Sequence, residues 1–377
     1  FIPNRRTTSW FLRFMAKIVI DARIIKSSTG RYVERLLYYL QQIDQTNHYI
    51  VLVPSKDLDY FQPTNPNFTV QACDFANYSL AEQWQFKKLL DQFQADLVHF
   101  CMPQQPVLYR GKTVTTFHDL TLLKVYNRDK NWLIFKIKQG IGKWLFRRVA
   151  HKTNHIITPS QFTKQDLLDT YHISPDKISV TYESADFDQV TAEPYPTPFR
   201  QFIMYVGQQS TYKNIARLGD AHQKLLEHYP DLGLLLVGSL NQAAKLNQAY
   251  FEQHNYRNIQ FTGFVSDQQL AWLYQHCSAY IFPSFYEGFG LPGVEAMAAG
   301  APLISSNATC LPEIYADGAL YFDPSDTNDL VDKISQVLSD NQLRQDLISR
   351  GKRRAHDFSW QTMAEQTLDI YQQVIQK

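Results

Sequence analysis

From Lys17 onward the chain alternates short, almost wholly apolar runs with longer segments of helical spacing. The apolar runs at 17–20, 49–53, 68–72, 97–100, 113–117, 155–158 and 178–181 read as strands, with helical stretches at 32–42, 80–93, 132–149 and 162–171 between them. Strands with no polar alternation are buried on both faces, so the pattern predicts βαβ units and a parallel sheet covered by helices. Residues 193–199 then place three prolines in seven positions, a spacing that favours extended backbone and reads as a linker. After it the alternation restarts. Strands are predicted at 202–206, 233–237, 259–262, 279–282, 302–305 and 320–322, and helices at 215–228, 243–254, 268–276, 293–299, 328–339, 341–355 and 359–375. The fold class is α/β, with two Rossmann-like doubly wound domains facing a central cleft. In such sheets ligands sit beyond the carboxyl ends of the strands.

The expected division is an extension or mobile arm over 1–14, a first domain over 15–192 and a Pro-rich hinge over 193–200. A second domain then covers 201–355, and a last helical segment covers 356–377. Length agrees with two domains, since 377 residues exceed one ordinary core. Charge sharpens the division. The formal net charge is only +1, yet residues 1–199 hold 24 Lys and Arg against 18 Asp and Glu, and residues 200–377 hold 13 against 18. A basic half precedes an acidic half. The four cysteines, Cys73, Cys101, Cys277 and Cys310, form no CxxC pair, the usage of a reducing compartment rather than of a disulfide scaffold or zinc ribbon. No run approaches the roughly 20 apolar residues of a spanning helix. The cysteine usage makes a cytoplasmic location the expectation, with a peripheral place on the inner membrane face as its alternative.

The densest chemistry is YEGFGLPGVEAMAAG at 286–300: a turn punctuated by Gly288 and Gly290, then a helix with Pro292 in its first turn. A helix N-terminus after such a turn suits an anion such as a phosphate. Glu287 and Glu295 can both line the cleft, where a carboxylate accepts from the vicinal hydroxyls of ribose and sugars. The same glutamates also suit a turn cap and a helix dipole. TFHDLT at 116–121 ends a strand, and VGQQSTYKN at 206–214 is a strand-to-helix loop carrying Lys213. A lone His–Asp pair there also serves as a structural hydrogen bond, and a lone lysine as a solvated surface charge.

The spacing Glu287-x7-Glu295 resembles the signature of retaining GT-B glycosyltransferases of family 4, the group 1 transferases. The resemblance extends over IDAR and STGRY at 20–32, TFHDLT, VGQQSTYKN, TGFVSDQQL at 262–270, SSNATCLPE at 305–313 and the FSW before the last helix. It implies a nucleotide-diphosphate sugar as donor, bound by the second domain, and a glycan or lipid-linked acceptor on the first. It further implies that His118, Lys213 and Glu287 carry the chemistry. Lys213 would neutralise the leaving diphosphate, His118 would sit beside the transferred sugar, and Asp119 would orient its loop. Gly30, Gly207, Gln208, Val265, Gly288, Phe289, Gly290, Leu291 and Glu295 would complete the donor site, with Glu295 on the ribose and the backbone near Val265 on the base. The family often has Arg directly after the glycine that Gly207 matches. Here Gln208 stands there, which puts a two-cation clamp in doubt and makes Arg31 or Arg217 the compensating cation. The loop around 206–214 and SNATCLPE resemble mannosyltransferase-like branches, making GDP-mannose the first expected donor, with UDP-sugars next. The last helix is expected to cross back to the first domain.

Two DxD strings, Asp57–Asp59 and Asp186–Asp188, read as loops of solvated acids, and no cofactor or catalytic metal is expected. Residues 128–152 contain eight Lys and Arg with interleaved aromatics. Trp132, Lys136, Lys138, Lys143, Trp144, Arg147 and Arg148 therefore form a candidate acceptor or membrane surface, the composition of a helix on an anionic bilayer. A core-packed amphipathic helix with a basic solvent face has the same pattern. Nucleic acid is not an expected partner, because no recognised module accompanies the charge. A nucleotide-sugar epimerase and a non-catalytic sugar-nucleotide or membrane-binding module are the alternative functions.

Overall fold

The computed structural model describes residues 15–27, 29–125, 132–187 and 190–377, leaving aside the side chains at 132–135, 137 and 138. The expected arm at 1–14, Ser28, Asp188 and the side chains of Trp132 and Lys138 lie outside the described residues.

Seven parallel strands form the first sheet: β1 (Lys17–Asp21), β2 (His48–Val53), β3 (Phe68–Ala72), β4 (Leu97–Phe100), β5 (Thr113–Thr116), β6 (His155–Thr158) and β7 (Ile178–Val180), in the order β3-β2-β1-β4-β5-β6-β7. Six parallel strands form the second: β8 (Phe202–Val206), β9 (Gly233–Val237), β10 (Ile259–Gly263), β11 (Ala279–Phe282), β12 (Leu303–Ser306) and β13 (Ala319–Phe322), in the order β10-β9-β8-β11-β12-β13. In the first domain the helices are α1 (Gly30–Ile43), α2 (Lys87–Phe93), α3 (Thr121–Lys124), α4 (Trp132–Lys152) and α5 (Gln161–Tyr171). The second domain carries α6 (Ile215–Leu225), α7 (Gln242–Gln253), α8 (Asp267–His276), α9 (Leu291–Ala299), α10 (Leu311–Tyr315), α11 (Thr327–Ser339) and α12 (Asn341–Ala355), and α13 (Trp360–Gln376) ends the chain.

Central strands such as β4, β5, β6, β9 and β11 are buried along their whole length, which is why their sequences read as unbroken apolar or small runs. The chain crosses between domains twice. Trp360, Met363, Ile370 and Tyr371 of α13 pack with Ile18, Leu36 and Leu40 in the first core, while Phe358, two residues earlier, belongs to the second.

The other crossing corrects the expected hinge at 193–200. Phe187 is already a member of the second core, and Tyr195 and Phe199 pack against it. The Pro-rich stretch is therefore anchored, with Phe199 against Gly233, and the change of domain falls at Glu183–Phe187. Apolar side chains between the prolines override the linker signal. The helix expected at 80–93 is present over those residues, with a π segment inside it, Glu82–Phe86, before α2 begins. Glu82 turns inward there, accepting from Arg23 Nη2 at 3.0 Å and from the Tyr78 N–H at 2.8 Å; π turns commonly mark such inward-aimed groups.

Candidate active site

The carboxyl ends of the two sheets face each other, because α1, which follows β1, reaches α9, which follows β11: Arg31 Nε lies 3.7 Å from Glu295 Oε1. On the second domain, β11 runs into the loop carrying Glu287, and Gly290 turns the chain into α9 with φ of 89°. Glycine is required at 290 because the backbone is left-handed and a Cβ would stand 2.3 Å from the Tyr315 hydroxyl oxygen. That hydroxyl donates to the Gly290 carbonyl at 2.6 Å and fixes the turn. At Gly288 the reason lies between domains: a Cβ would stand 1.8 Å from the His118 carbonyl oxygen.

Glu287 is buried, and its Oε1 accepts from Lys213 Nζ at 2.5 Å. Its N–H donates to Thr309 Oγ1 at 3.1 Å, which holds the loop against the segment before α10. Burial alone would lower the Lys213 ammonium, but the adjoining Glu287 carboxylate outweighs it and holds that group well above the usual lysine range. Tyr212 and Phe282 rings lie 4.8 Å and 5.8 Å from Nζ. Glu295 sits one turn into α9 and is pushed up to about 7, first by burial, with Arg31 opposing and Asp267, Asp186 and Glu183 reinforcing. Arg31 also stands 3.6 Å from Asp267 at the start of α8.

His118 lies just past β5. Its Nε2 is 3.0 Å from the Cys101 carbonyl, to which it donates, its Nδ1 is 3.4 Å from Glu183 Oε1, and its ring meets Tyr32 edge-on at 4.9 Å. Asp119 accepts from the Thr121 N–H at 2.8 Å, which starts α3 and orients the loop. Behind them a buried chain links Tyr371 of α13 to His99 (2.6 Å), His99 to Thr116 (2.9 Å) and Thr116 to Tyr32 (2.9 Å). Burial pushes His99 down to about 3, so it is neutral within that chain.

The remaining sequence-predicted residues distribute as follows. Gly30 opens α1 beside Arg31, and Gly207, with φ of 135°, ends β8. Gln208 is exposed and its carbonyl accepts from Tyr205 Oη at 2.7 Å. Val265 packs against the second core beside the outward-facing Phe264. Phe289 is buried in the second core, with its ring against Phe358 at 5.7 Å. Leu291 packs between the two cores. Arg217 donates to the Pro324 carbonyl and faces the Phe285 ring, which commits it away from a ligand role. One acid of each DxD string has a cationic partner: Lys26 stands 3.4 Å from Asp57, and Arg35 stands 2.8 Å from Asp186.

On α4, Leu145, Phe146 and Val149 enter a first-domain core, while Lys136, Lys143, Arg147 and Arg148 are exposed and Trp144 is 61% exposed. Lys143 and Arg147 line an open groove of about 510 Å³ with Leu123, Lys124, Tyr171 and His172. One face of this helix is packed in the core and the other presents basic side chains and Trp144 to solvent.

Sequence reasoning missed Glu183, which lies in a loop without periodicity, and a cluster that fastens α5 to the second domain. Glu313 accepts from the Gln161 and Phe162 N–H groups at 2.7 Å and 2.9 Å and from Tyr182 Oη at 3.0 Å. Ser160 donates to the Gly288 carbonyl at 2.6 Å, and Tyr286 donates to Asp166. Ser160 before a helical pattern is a legible N-cap signal; its partner in another domain leaves no local trace.

Two family models match the chain in succession, "Glycosyltransferase Family 4" over residues 29–189 and "Glycosyl transferases group 1" over residues 196–354. O-antigen chain mannosyltransferase B of Escherichia coli is 29% identical over 271 residues, 69% of this chain and 70% of that protein. O-antigen chain mannosyltransferase RfbU of Salmonella typhimurium is 27% identical over 330 residues, 82% of this chain and 87% of that one. Some other mannosyltransferase relatives are longer, the match covering 34% of their length. Among solved structures, Anabaena Alr3699/HepE in complex with UDP-glucose superposes with a TM-score of 0.73 at 17% identity, over 94% of this chain and 99% of that one. With both halves matched in order and two facing doubly wound sheets, the chain belongs to the family 4, group 1 glycosyltransferases of GT-B fold and is an enzyme of sugar transfer.

Proposed function

We propose that the protein moves a hexose from a nucleotide-diphosphate sugar, GDP-mannose first, to a glycan or lipid-linked acceptor, with retention of anomeric configuration. The observation that carries this reading is the pairing of Glu287 with Lys213 in the loop before α9, with Glu295 one turn into that helix. The transferred sugar binds Glu287 and the backbone of 288–291, the ribose binds Glu295, and the base rests near Val265. Lys213 and the helix N-terminus stabilise the departing diphosphate, an electrostatic contribution on the order of 3–4 kcal/mol per well-placed donor. No carboxylate is assigned as a dedicated base; a leaving phosphate oxygen takes the acceptor proton on the face from which it departs. The acids at 57 and 186 already have cationic partners, which favours a metal-independent site. The mannosyltransferase relatives support the sugar, and the UDP-glucose bound to HepE keeps UDP-sugars as the second choice.

The exposed basic face of α4, with Trp144, is proposed to rest on an anionic membrane surface where a lipid-linked acceptor would lie. Turnover of a panel of nucleotide sugars with lipid-linked and free glycan acceptors tests the enzyme claim. Acceptor-dependent release of nucleoside diphosphate, lost in Glu287→Ala, is expected. Equal background for both proteins contradicts it, and acceptor-independent release of free sugar and nucleoside diphosphate points to the epimerase instead.

A further inference from the structure

The proposed donor is linear, so its diphosphate lies between the ribose and the transferred sugar. If Glu295 takes the ribose and Glu287 the sugar, the diphosphate passes between these two carboxylates. In the ligand-free arrangement each of them is accompanied by one cation. Lys213 attends Glu287 at 2.5 Å, and Arg31, arriving from the first domain, attends Glu295 at 3.7 Å.

The two cations are held differently. Lys213 donates a hydrogen bond to Glu287. Arg31 stands 3.6 Å and 3.7 Å from Asp267 and Glu295, beyond the 2.7–3.2 Å of a normal N–H···O bond. Among the described residues none accepts a hydrogen bond from its guanidinium, and the side chain remains 29% exposed. A guanidinium presents five donors in a fork suited to phosphate oxygens. Here that fork is positioned by the neighbouring carboxyl groups and by the Phe187 ring, 5.8 Å from its Cζ, without a hydrogen bond of its own. In the second domain, meanwhile, Gln208 is neutral and Arg217 is committed to the Pro324 carbonyl.

Resting on the donor reading above, we propose that Arg31 is the second diphosphate ligand, held on Glu295 and Asp267 until the ribose hydroxyls occupy Glu295 and then released to the phosphates. The first domain thereby supplies the charge that Gln208 does not, and a bound diphosphate bridges α1 to the loop before α9. A nucleoside alone occupies Glu295 and makes no use of Arg31.

Calorimetric titration with guanosine, GMP and GDP, or the uridine series if those bind, tests this on the wild type, Arg31→Met and Arg31→Lys. The measured quantity is the ratio of nucleoside Kd to nucleoside diphosphate Kd. In Arg31→Met this ratio is expected to fall roughly 10- to 100-fold, the worth of hydrogen bonds to a charged group, with nucleoside affinity unchanged or improved. Arg31→Lys should restore part of the ratio, and melting curves establish that both variants are folded. An unchanged ratio in Arg31→Met, or equal losses for nucleoside and diphosphate, overturns the assignment while leaving the donor reading intact. A wild type that binds neither GDP nor UDP removes the donor reading and this assignment together.

Discussion

Lys213, Glu287, Glu295 and Arg31 form two acid–base pairs of unequal tightness, and their chemistry makes different predictions. Lys213→Met removes the cation from a buried carboxylate. We expect kcat to fall on the order of 10²- to 10³-fold, together with a lowered melting temperature, because an unpaired buried charge is costly; steady-state kinetics and thermal unfolding read the two effects. Glu295 behaves oppositely. Its folded-state proton is retained up to about 7, whereas an unfolded glutamate releases it near 4.3. The unfolded chain therefore binds fewer protons between these values, and the contribution of this residue to stability declines as pH rises through that window. Below it both states are protonated and nothing is lost. Glu295→Gln should gain on the wild type by roughly 1–3 kcal/mol between pH 4.5 and pH 7.5. Urea unfolding at both pH values measures this, and a constant difference between the two proteins would show that Glu295 is not held protonated. Most of these residues were legible as candidates from Gly and Pro spacing around them. Their pairings were not, since Arg31 and Glu295 are 264 positions apart and meet only when two sheets face each other.

At the scale of elements, central strands such as β9 and β11 were legible because they are buried along their whole length and so lack polar interruption. The helix at 80–93 was legible from its apolar spacing, but its π turn was not, since nothing local reveals that Glu82 must turn inward to Arg23. The clearest gain from the structure is α5. Its N-terminus is satisfied twice, by Ser160 within the domain and by Glu313 from the other. Ser160→Ala should cost about 1 kcal/mol through the lost cap. Glu313→Ala leaves two helix N–H groups and Tyr182 without their acceptor and should cost about 1–3 kcal/mol. Chemical denaturation monitored in both variants checks the order. Equal, negligible losses would mean that solvent replaces Glu313 freely and that the contact does not hold α5.

For the whole molecule, the balanced total charge conceals a basic first half and an acidic second half of the sequence. The Pro-rich stretch seemed to be the pivot, yet Tyr195 and Phe199 fasten it to the second core, so relative motion must arise at Glu183–Phe187 and at the crossing before Trp360. Close approach of the domains depends on Gly288, whose α-carbon faces the His118 carbonyl. Gly288→Ala should open the cleft, raising the radius of gyration by small-angle scattering and lowering transfer while each domain stays folded; an unchanged radius with full activity would contradict this contact. The exposed face of α4 makes a separate prediction. Lys143→Glu combined with Arg147→Glu should abolish flotation with anionic liposomes, and flotation insensitive to both lipid charge and these residues would remove the membrane surface. The central claim, retaining transfer from a nucleotide sugar, is tested most directly by the anomeric NMR signal of the product formed from GDP-α-mannose and a mannoside acceptor. The account predicts an α-linked product from the wild type and none from Glu287→Ala. A β-linked product, or the same α-linked product from both proteins, would contradict it.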